Sequence, residues 1–283
     1  MLVLGLPTVN AGSATTSPLA GRTRVLYSAP KGERSAAVPP SLMSATRVLI
    51  AVPAFNEAAT IAGLIGRIRG ALPEHDLLVV NDGSRDATQS ILAEQGVATA
   101  RHLCNLGYGR AIQTALLYAA RQGYDVLVTV DADGQHHPEQ IRDMLDALAT
   151  NGWDMCLGSR YVAQRGYGGT PFGRRAGMLT FSLLVGLITE QRVWDTTSGL
   201  RVLARSTFDP LVRWHFVDFH AETIVYLMRL GYRVGEHPIT VAERRHGRSM
   251  YSFGSAFKYP LKTLLMVLLG LSHAALVRER RVR

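Results

Sequence analysis

The feature that most constrains the fold is an alternation of short apolar runs with helical patterns that begins at Arg47. Runs such as 47–53 and 76–80 are continuously apolar, as is typical of strands buried on both faces. After the first run, apolar residues recur at helical spacing in segment 61–68. Strands that alternate with helices predict an α/β chain with a mainly parallel central sheet and helices on both faces.

The second half of the sequence is less regular. Residues 200–205 predict a strand, 222–232 a helix and 234–245 a strand near the sheet edge. The apolar run 178–189 is too short to span a bilayer.

The two ends differ in composition from the centre. Residues 28–45 are small, polar and proline-containing, and the apolar run at the start stops at Pro7, too early for a signal peptide, so we expect residues 1–45 to form a disordered N-terminal arm. Met43, just before the first strand, is an alternative translation start. We expect residues 46–255 to form one folded domain. Residues 256–283 predict a cationic amphipathic helix whose apolar stretch, 263–277, is flanked by lysines and arginines. Such a helix suits contact with a membrane surface or with the core.

Polar clusters follow the predicted strands directly. Ligands of open parallel sheets gather at the carboxyl ends of the strands, so these clusters should meet in one crevice. They are PAFNE (53–57), NDGS (81–84), NLGYG (105–109), DADGQ (131–135) and GSRY (158–161).

The DADGQ turn is the strongest candidate for a metal site. Carboxylate oxygens of Asp131 and Asp133 at the rim suit Mg²⁺ or Mn²⁺, with positions left open for substrate phosphates. The plain alternative is a solvated turn before a helix that begins at Pro138. A zinc site at His136 and His137 is the weaker reading, because adjacent histidines rarely bind one ion.

Other charged residues in these clusters suit a nucleotide. Glu57 and Asp82 could accept hydrogen bonds from a base or a ribose, although both could equally cap turns and helices. Arg160, Arg244 and Arg248 could neutralise phosphates, with a solvated surface as the alternative.

The net charge of +9 is carried almost entirely by arginine, which fits phosphate-bearing or membrane partners. We expect no nucleic-acid partner, because the acidic rim would repel a phosphate polymer and no aromatic stacking platform is evident. Two cysteines make no disulfide framework and favour a reducing, cytoplasmic compartment.

Taken in order, these motifs, together with DTTSGLRVL (195–203) and RRHGRS (244–249), resemble family 2 glycosyltransferases over about residues 47–255. The chain is most similar to the dolichyl-phosphate mannosyltransferase and polyprenyl-phosphate glycosyltransferase branch. The resemblance implies the GT-A fold, with a Rossmann-like sheet and a divalent metal at the DxD motif. It also implies inverting transfer from a nucleotide sugar, of the GDP-mannose or UDP-glucose type, to a polyprenyl phosphate at the cytoplasmic face of a membrane.

The resemblance also implies roles for individual residues. Asp131, Asp133 and Arg160 would be catalytic, with Gln135 completing the metal shell. Asp195, Ser198 and Arg248 would lie on the acceptor side. The nucleotide-sugar site would comprise Pro53, Ala54, Phe55, Glu57, Val80, Asp82, Asp131, Ala132, Asp133, Arg160 and Arg244.

Two positions depart from the family pattern. Asn81 replaces the first aspartate of the usual DDGS turn, which puts base contacts in question. Met250 replaces a lysine of some members, which puts one phosphate contact in question.

The nature of the acceptor decides whether the reaction needs a base. A lipid monophosphate is already largely dianionic at neutral pH and can attack without one. The alternative function is a soluble family 2 enzyme with a hydroxyl acceptor, which would need a base, and Asp195 is the candidate.

Overall fold

The computed structural model describes residues 3–5, 46–166, 172–214, 219–242, 264–265 and 267–275. Arg244, Arg248 and Met250 lie outside these ranges, so the roles predicted for them stay predictions.

The described residues alternate strands and helices as the sequence predicts. The strands are β1 (Val3–Gly5), β2 (Val48–Ala54), β3 (Asp76–Asn81), β4 (Ala98–Arg101), β5 (Val126–Thr129), β6 (Met155–Ser159), β7 (Arg201–Ala204) and β8 (Val234–Pro238). The helices are α1 (Ile61–Ala71), α2 (Thr88–Glu94), α3 (Tyr108–Gln122), α4 (Gln140–Asn151), α5 (Phe172–Thr189), α6 (Phe208–Arg213) and α7 (Ala221–Arg229). Residues 264–265 and 267–275 are also helical.

The strands form one sheet in the order β1-β4-β3-β2-β5-β7-β6-β8. Strands β2, β3, β4 and β5 pair in parallel, and β6 pairs in parallel with β8. Strand β7 lies between β5 and β6 and is antiparallel to both. The carboxyl ends of β5 and β6 therefore share one edge of the sheet with the amino end of β7.

Alternate strand residues face two separate cores, so helices cover both faces. Leu49, Ala51 and Val80 belong to the cluster that includes α3, α6 and α7. On the other face, Val48 and Ile50 belong to the cluster that includes α1 and α4. The prediction of an α/β chain with a mainly parallel sheet is confirmed.

Two boundaries differ from the predictions. Residues 3–5, within the segment expected to be a disordered arm, instead pair antiparallel with the outer edge of β4. An exposed strand edge carries unpaired backbone groups, which explains why this short apolar segment adds there. Helix α4 begins at Gln140 rather than at Pro138.

The C-terminal helical residues pack on the face that carries α7. Val267 and Ala274 are buried in its core, and the His273 ring stacks on Trp214 at 5.5 Å between centroids. No helix among the described residues is both long and apolar enough to cross a membrane.

Gly83 offers a test of the turn that follows β3. It has φ +70°, and a Cβ there would lie 2.7 Å from the backbone nitrogen of Asn105. We expect Gly83→Ala to lower the free energy of unfolding by at least about 2 kcal/mol, through backbone strain and overpacking. The measurement is urea unfolding. The control is Gly66→Ala in α1, where a Cβ would meet nothing within 4 Å. This variant should instead have a free energy of unfolding about 0.5–1 kcal/mol higher than wild type. Equal stability of the two variants would contradict this account.

Candidate active site

The polar clusters meet at one edge of the sheet because of the strand directions. The PAFNE, NDGS, DADGQ and GSRY segments follow β2, β3, β5 and β6, whose carboxyl ends share that edge. The segment DTTSG (195–199) reaches the same edge from the opposite direction, because it precedes the antiparallel strand β7.

The turns after β2 and β3 are held to each other by side chains. Asn56, which has φ +57°, donates its backbone N–H to Ser84 Oγ at 3.0 Å and accepts from the Arg85 N–H at 2.9 Å. The Glu57 N–H donates to Thr88 Oγ1 at 2.9 Å. This mutual capping fixes the loops in which the predicted nucleoside residues lie.

Asp82 is buried and holds the loop between β4 and α3. Its carboxylate accepts from the backbone N–H groups of Leu106 at 2.9 Å and Gly107 at 2.8 Å. His102 Nδ1 lies 2.6 Å from Asp82 Oδ1, and His102 Nε2 contacts Thr114 Oγ1. Both oxygens are therefore engaged, so Asp82 shapes the site. If a nucleoside donates a hydrogen bond to the Asp82 carboxylate, that bond must be accepted in addition to the contacts with His102, Leu106 and Gly107.

Asn81, the departure from the family pattern, is also structural. Its side chain accepts from the Ser84 N–H at 3.0 Å and donates to Gln89 Oε1 at 2.7 Å.

The remaining predicted nucleotide residues divide by exposure. Phe55 is 41% exposed, and Pro53 and Glu57 are partly exposed, so their side chains can meet a ligand. Ala54, Val80 and Ala132 are buried in the two cores. The side chains of Ala54, Val80 and Ala132 therefore cannot contact a ligand at the rim, and the predicted contacts of these residues stay predictions for their backbone atoms.

Asp131 lies where three segments meet. Tyr108 donates its hydroxyl to Asp131 Oδ1 at 3.1 Å, and His136 Nε2 lies 3.7 Å from Oδ2. A Cβ at Gly199 would overlap the Asp131 carboxylate, so only glycine fits there. Burial alone would raise the pKa of Asp131, but His136 and Tyr108 outweigh burial and lower it, which keeps the carboxylate ionised.

The predicted metal ligands share one turn. Asp133 Oδ1 accepts from the Gln135 N–H at 3.0 Å, and Gln135 donates its side-chain amide to the Ala242 carbonyl at 3.1 Å. Within the described ranges, no group of three or more His, Cys, Asp or Glu side chains is arranged to hold a metal ion. Mg²⁺ is commonly bound by one or two carboxylates, with substrate phosphates and water filling the other positions. Asp131 and Asp133 fit that donor set.

Arg160 forms a bidentate ion pair with Asp195. Its Nε donates to Asp195 Oδ2 at 2.7 Å and its Nη2 to Oδ1 at 2.8 Å, while Nη2 also contacts Thr197 Oγ1 at 3.0 Å. Asp195 is 0% exposed, whereas 21% of the Arg160 side chain remains accessible. Burial opposes both charges, but the pair lowers the pKa of Asp195 and raises that of Arg160.

This geometry corrects two expectations for the acceptor side. Asp195 cannot serve as a general base, because it is buried and both oxygens accept from Arg160. Its backbone is fixed as well, since its N–H and that of Trp194 donate to Glu236, each at 2.8 Å. Ser198 is also buried, so its side chain is not exposed at the rim.

Arg201 lies at the same rim and was not among the residues singled out from the sequence. It is 1% exposed at the start of β7 and donates to the carbonyls of Ser198 and Thr196. A charged residue at the amino end of an apolar strand is the signal that could have identified it.

Comparison with known proteins agrees with these motifs. The profile described as "Glycosyl transferase family 2" matches residues 49–209. The undecaprenyl-phosphate mannosyltransferase of Micrococcus luteus is 33% identical over 221 residues, which covers 74% of this chain and 88% of that protein. The polyprenol monophosphomannose synthase of Mycolicibacterium smegmatis is 31% identical over 232 residues, which covers 78% of this chain and 85% of that protein. Among solved structures, Mycobacterium tuberculosis glucosyl-3-phosphoglycerate synthase with Mn²⁺, UDP-glucose and phosphoglyceric acid aligns with a TM-score of 0.60 at 17% identity, over 81% of each chain.

Proposed function

The chain belongs to glycosyl transferase family 2 and has the GT-A fold, and from this membership we propose that it transfers a sugar to a polyprenyl phosphate. The donor would be a nucleotide sugar of the GDP-mannose or UDP-glucose type, and the transfer would invert the anomeric centre. The names of the Micrococcus luteus and Mycolicibacterium smegmatis relatives, with identities of 33% and 31%, support the acceptor class.

Within this family, the single structural observation that carries the choice of a phosphate acceptor is the Arg160–Asp195 pair. A hydroxyl acceptor would need a base, and the carboxylate considered for that task is buried and engaged by the guanidinium. A phosphate monoester is largely ionised at neutral pH and needs no base. The geometry of the pair therefore favours the phosphate acceptor over the hydroxyl acceptor.

The chemistry then depends on charge. An oxygen of the acceptor phosphate attacks the anomeric carbon, a new C–O bond forms, and the bond to the donor diphosphate breaks. Negative charge develops on the departing diphosphate, and the exposed part of Arg160 can meet it. Asp195 holds that guanidinium in one orientation, so little reorganisation is needed during the reaction.

Asp131 and Asp133 would hold Mg²⁺ or Mn²⁺, with Gln135 as a further oxygen ligand. Such an ion supplies Lewis-acid stabilisation of the leaving diphosphate. The ionised state of Asp131 and the oxygen-only donor set support this assignment.

A leucine face on two helices supports a membrane partner. Leu179, Leu183 and Leu187 are exposed at four-residue spacing on α5. Leu264, Leu265, Leu268 and Leu269 are exposed on the C-terminal helical residues. Both helices pack on the face of the sheet that carries α7. Apolar side chains flanked by arginines and lysines suit the surface of an anionic membrane, and we propose peripheral association at the cytoplasmic face.

The test combines transfer with membrane binding. The purified chain is incubated with radiolabelled GDP-mannose or UDP-glucose, Mn²⁺ and undecaprenyl phosphate in anionic vesicles, and label is measured in the organic phase. We expect label in the organic phase with one of the two donors. We also expect the protein to float with the vesicles, and Leu183→Glu to reduce the fraction that floats. A panel of sugar hydroxyl acceptors runs in parallel. Label on those acceptors with none in lipid would contradict the proposal.

A further inference from the structure

Among the residues that the structure describes, the buried cation Arg201 has no directly paired carboxylate. Its Nε donates to the Ser198 carbonyl at 2.9 Å and its Nη2 to the Thr196 carbonyl at 3.4 Å. Within the part of the chain that the structure describes, Nη1 has no hydrogen-bond partner. The ring centroid of Phe219 lies 5.1 Å from the guanidinium carbon.

Burial of the Arg201 guanidinium removes a positive charge from water, which destabilises the folded state unless other groups compensate for it. A buried donor without a hydrogen-bond partner destabilises the folded state, and more so when it is charged. Two carbonyl bonds could be made by a neutral donor, so they do not by themselves account for a full positive charge. Burial lowers the pKa of Arg201, and the charges of Glu222, Asp131 and Asp195 offset part of that effect.

The segment that Arg201 holds contacts both charged groups of the site. Thr197 accepts from Arg160 Nη2, so residue 197 supports the arginine that would meet the phosphates. Gly199 packs against the Asp131 carboxylate, and its carbonyl accepts from Thr129 Oγ1 at 2.8 Å. Displacement of segment 196–199 would therefore move the surroundings of Asp131 and Arg160 together.

We propose that Arg201 is a positioning residue for the reaction: it holds segment 196–199 through the carbonyls of Thr196 and Ser198. The inference rests on the proposed function, because it assigns Arg201 to the support of a metal carboxylate and a phosphate-binding arginine. Replacing a residue that orients metal ligands without binding the metal itself commonly weakens metal affinity by about 10–100-fold.

The test measures Mn²⁺ binding rather than activity alone. Wild type, Arg201→Met and Arg201→Lys are titrated with Mn²⁺ in the presence of GDP or UDP, and free Mn²⁺ is followed by electron paramagnetic resonance. We expect Arg201→Met to bind Mn²⁺ about 10–100-fold more weakly. Arg201→Lys keeps the charge but not the two-carbonyl geometry, so it should lie between the methionine variant and wild type.

Arg205→Met is the matched control. Arg205 lies directly after the other end of β7 and donates to the Tyr124 carbonyl at 2.7 Å, so the same charge is removed away from the rim. Its Mn²⁺ affinity should equal that of wild type. Thermal unfolding of each variant separates loss of fold from loss of positioning.

The outcomes distinguish the two proposals. Failure of wild type to bind Mn²⁺ with either nucleotide would overturn the metal assignment in the proposed function. Binding by wild type with an unchanged affinity in a folded Arg201→Met variant would overturn the role of Arg201 alone. If Arg201→Met does not fold, Arg201→Lys decides: weaker Mn²⁺ binding by a folded lysine variant supports the role, and wild-type affinity overturns it.

Discussion

Replacement of Asp133 with asparagine is expected to reduce turnover by about 10³-fold, equivalent to about 4 kcal/mol of transition-state stabilisation. The substitution removes one negative charge from the pair that would hold the metal. Asparagine keeps the shape and an oxygen that can still accept from the Gln135 N–H, so the turn should persist.

The measurement is the steady-state rate at increasing Mn²⁺ or Mg²⁺ concentration. If the carboxylate binds the ion, the variant should need more metal to reach a lower maximal rate. Thermal unfolding should stay close to that of wild type, because the turn is retained.

Asp143→Asn provides the control for Asp133. This aspartate lies in the first turn of α4 and is exposed, so the same chemical change occurs outside the crevice. Its activity should match wild type. An Asp133→Asn enzyme with unchanged activity and metal requirement would show that the metal assignment is wrong.

Replacement of Asp195 with asparagine should be the most damaging change to stability. Loss of one partner of a buried ion pair typically costs about 3–5 kcal/mol, because the other charge stays buried without compensation. Asparagine offers one acceptor where Arg160 donates through two nitrogens, and its NH₂ group would face the guanidinium. We also expect about 100-fold lower activity, since Arg160 would lose its orientation.

The loss of unfolding free energy caused by Asp195→Asn should become smaller as the pH falls. The folded-state pKa of Asp195 is below its ordinary value of 3.8. The pair therefore contributes fully above the unfolded-state pKa, and its contribution is lost as pH falls through the lowered folded-state pKa. Urea unfolding of both proteins should show a difference that is constant from pH 7 to pH 5 and shrinks below pH 4.

Asp209→Asn is the control for this comparison. Asp209 pairs with Arg213 on α6, where both side chains are more than half exposed, and such pairs contribute little. The free energy of unfolding should change by less than about 1 kcal/mol. If the two asparagine variants behave alike at neutral pH, the Arg160–Asp195 pair does not stabilise the fold.

Much of the fold could be predicted because the parallel strands are continuous apolar runs. Segment 76–80, for example, is followed directly by Asn81 and Asp82, and parallel pairing brings such ends to one edge. The position of Asp131 at the rim followed from the same rule.

The roles of Asp82 and Asp195 could not be predicted in this way, because their partners are remote in sequence. Asp82 is occupied by the loop before α3, more than 20 residues away. Asp195 is paired with Arg160, 35 residues away. A carboxylate beside a crevice has the same sequence signal whether it binds a substrate or supports a loop.

The direction of β7 was also beyond prediction. Its four residues, Arg201–Ala204, carry no periodicity that separates parallel from antiparallel pairing. The sequence alone therefore does not place Arg201 at the rim, to which the antiparallel pairing of β7 brings it.

The insertion of β7 between β5 and β6 has a consequence for synthesis on the ribosome. Strand β6 has no neighbour on the β5 side until β7 is available, so a nascent chain that stops before residue 201 exposes the open edge of β5. Chains elongate at about 5–20 residues per second, and amino-terminal units usually fold first. We therefore expect the residues that precede β7 to engage chaperones during translation until residues 201–204 leave the exit tunnel and pair with β5 and β6.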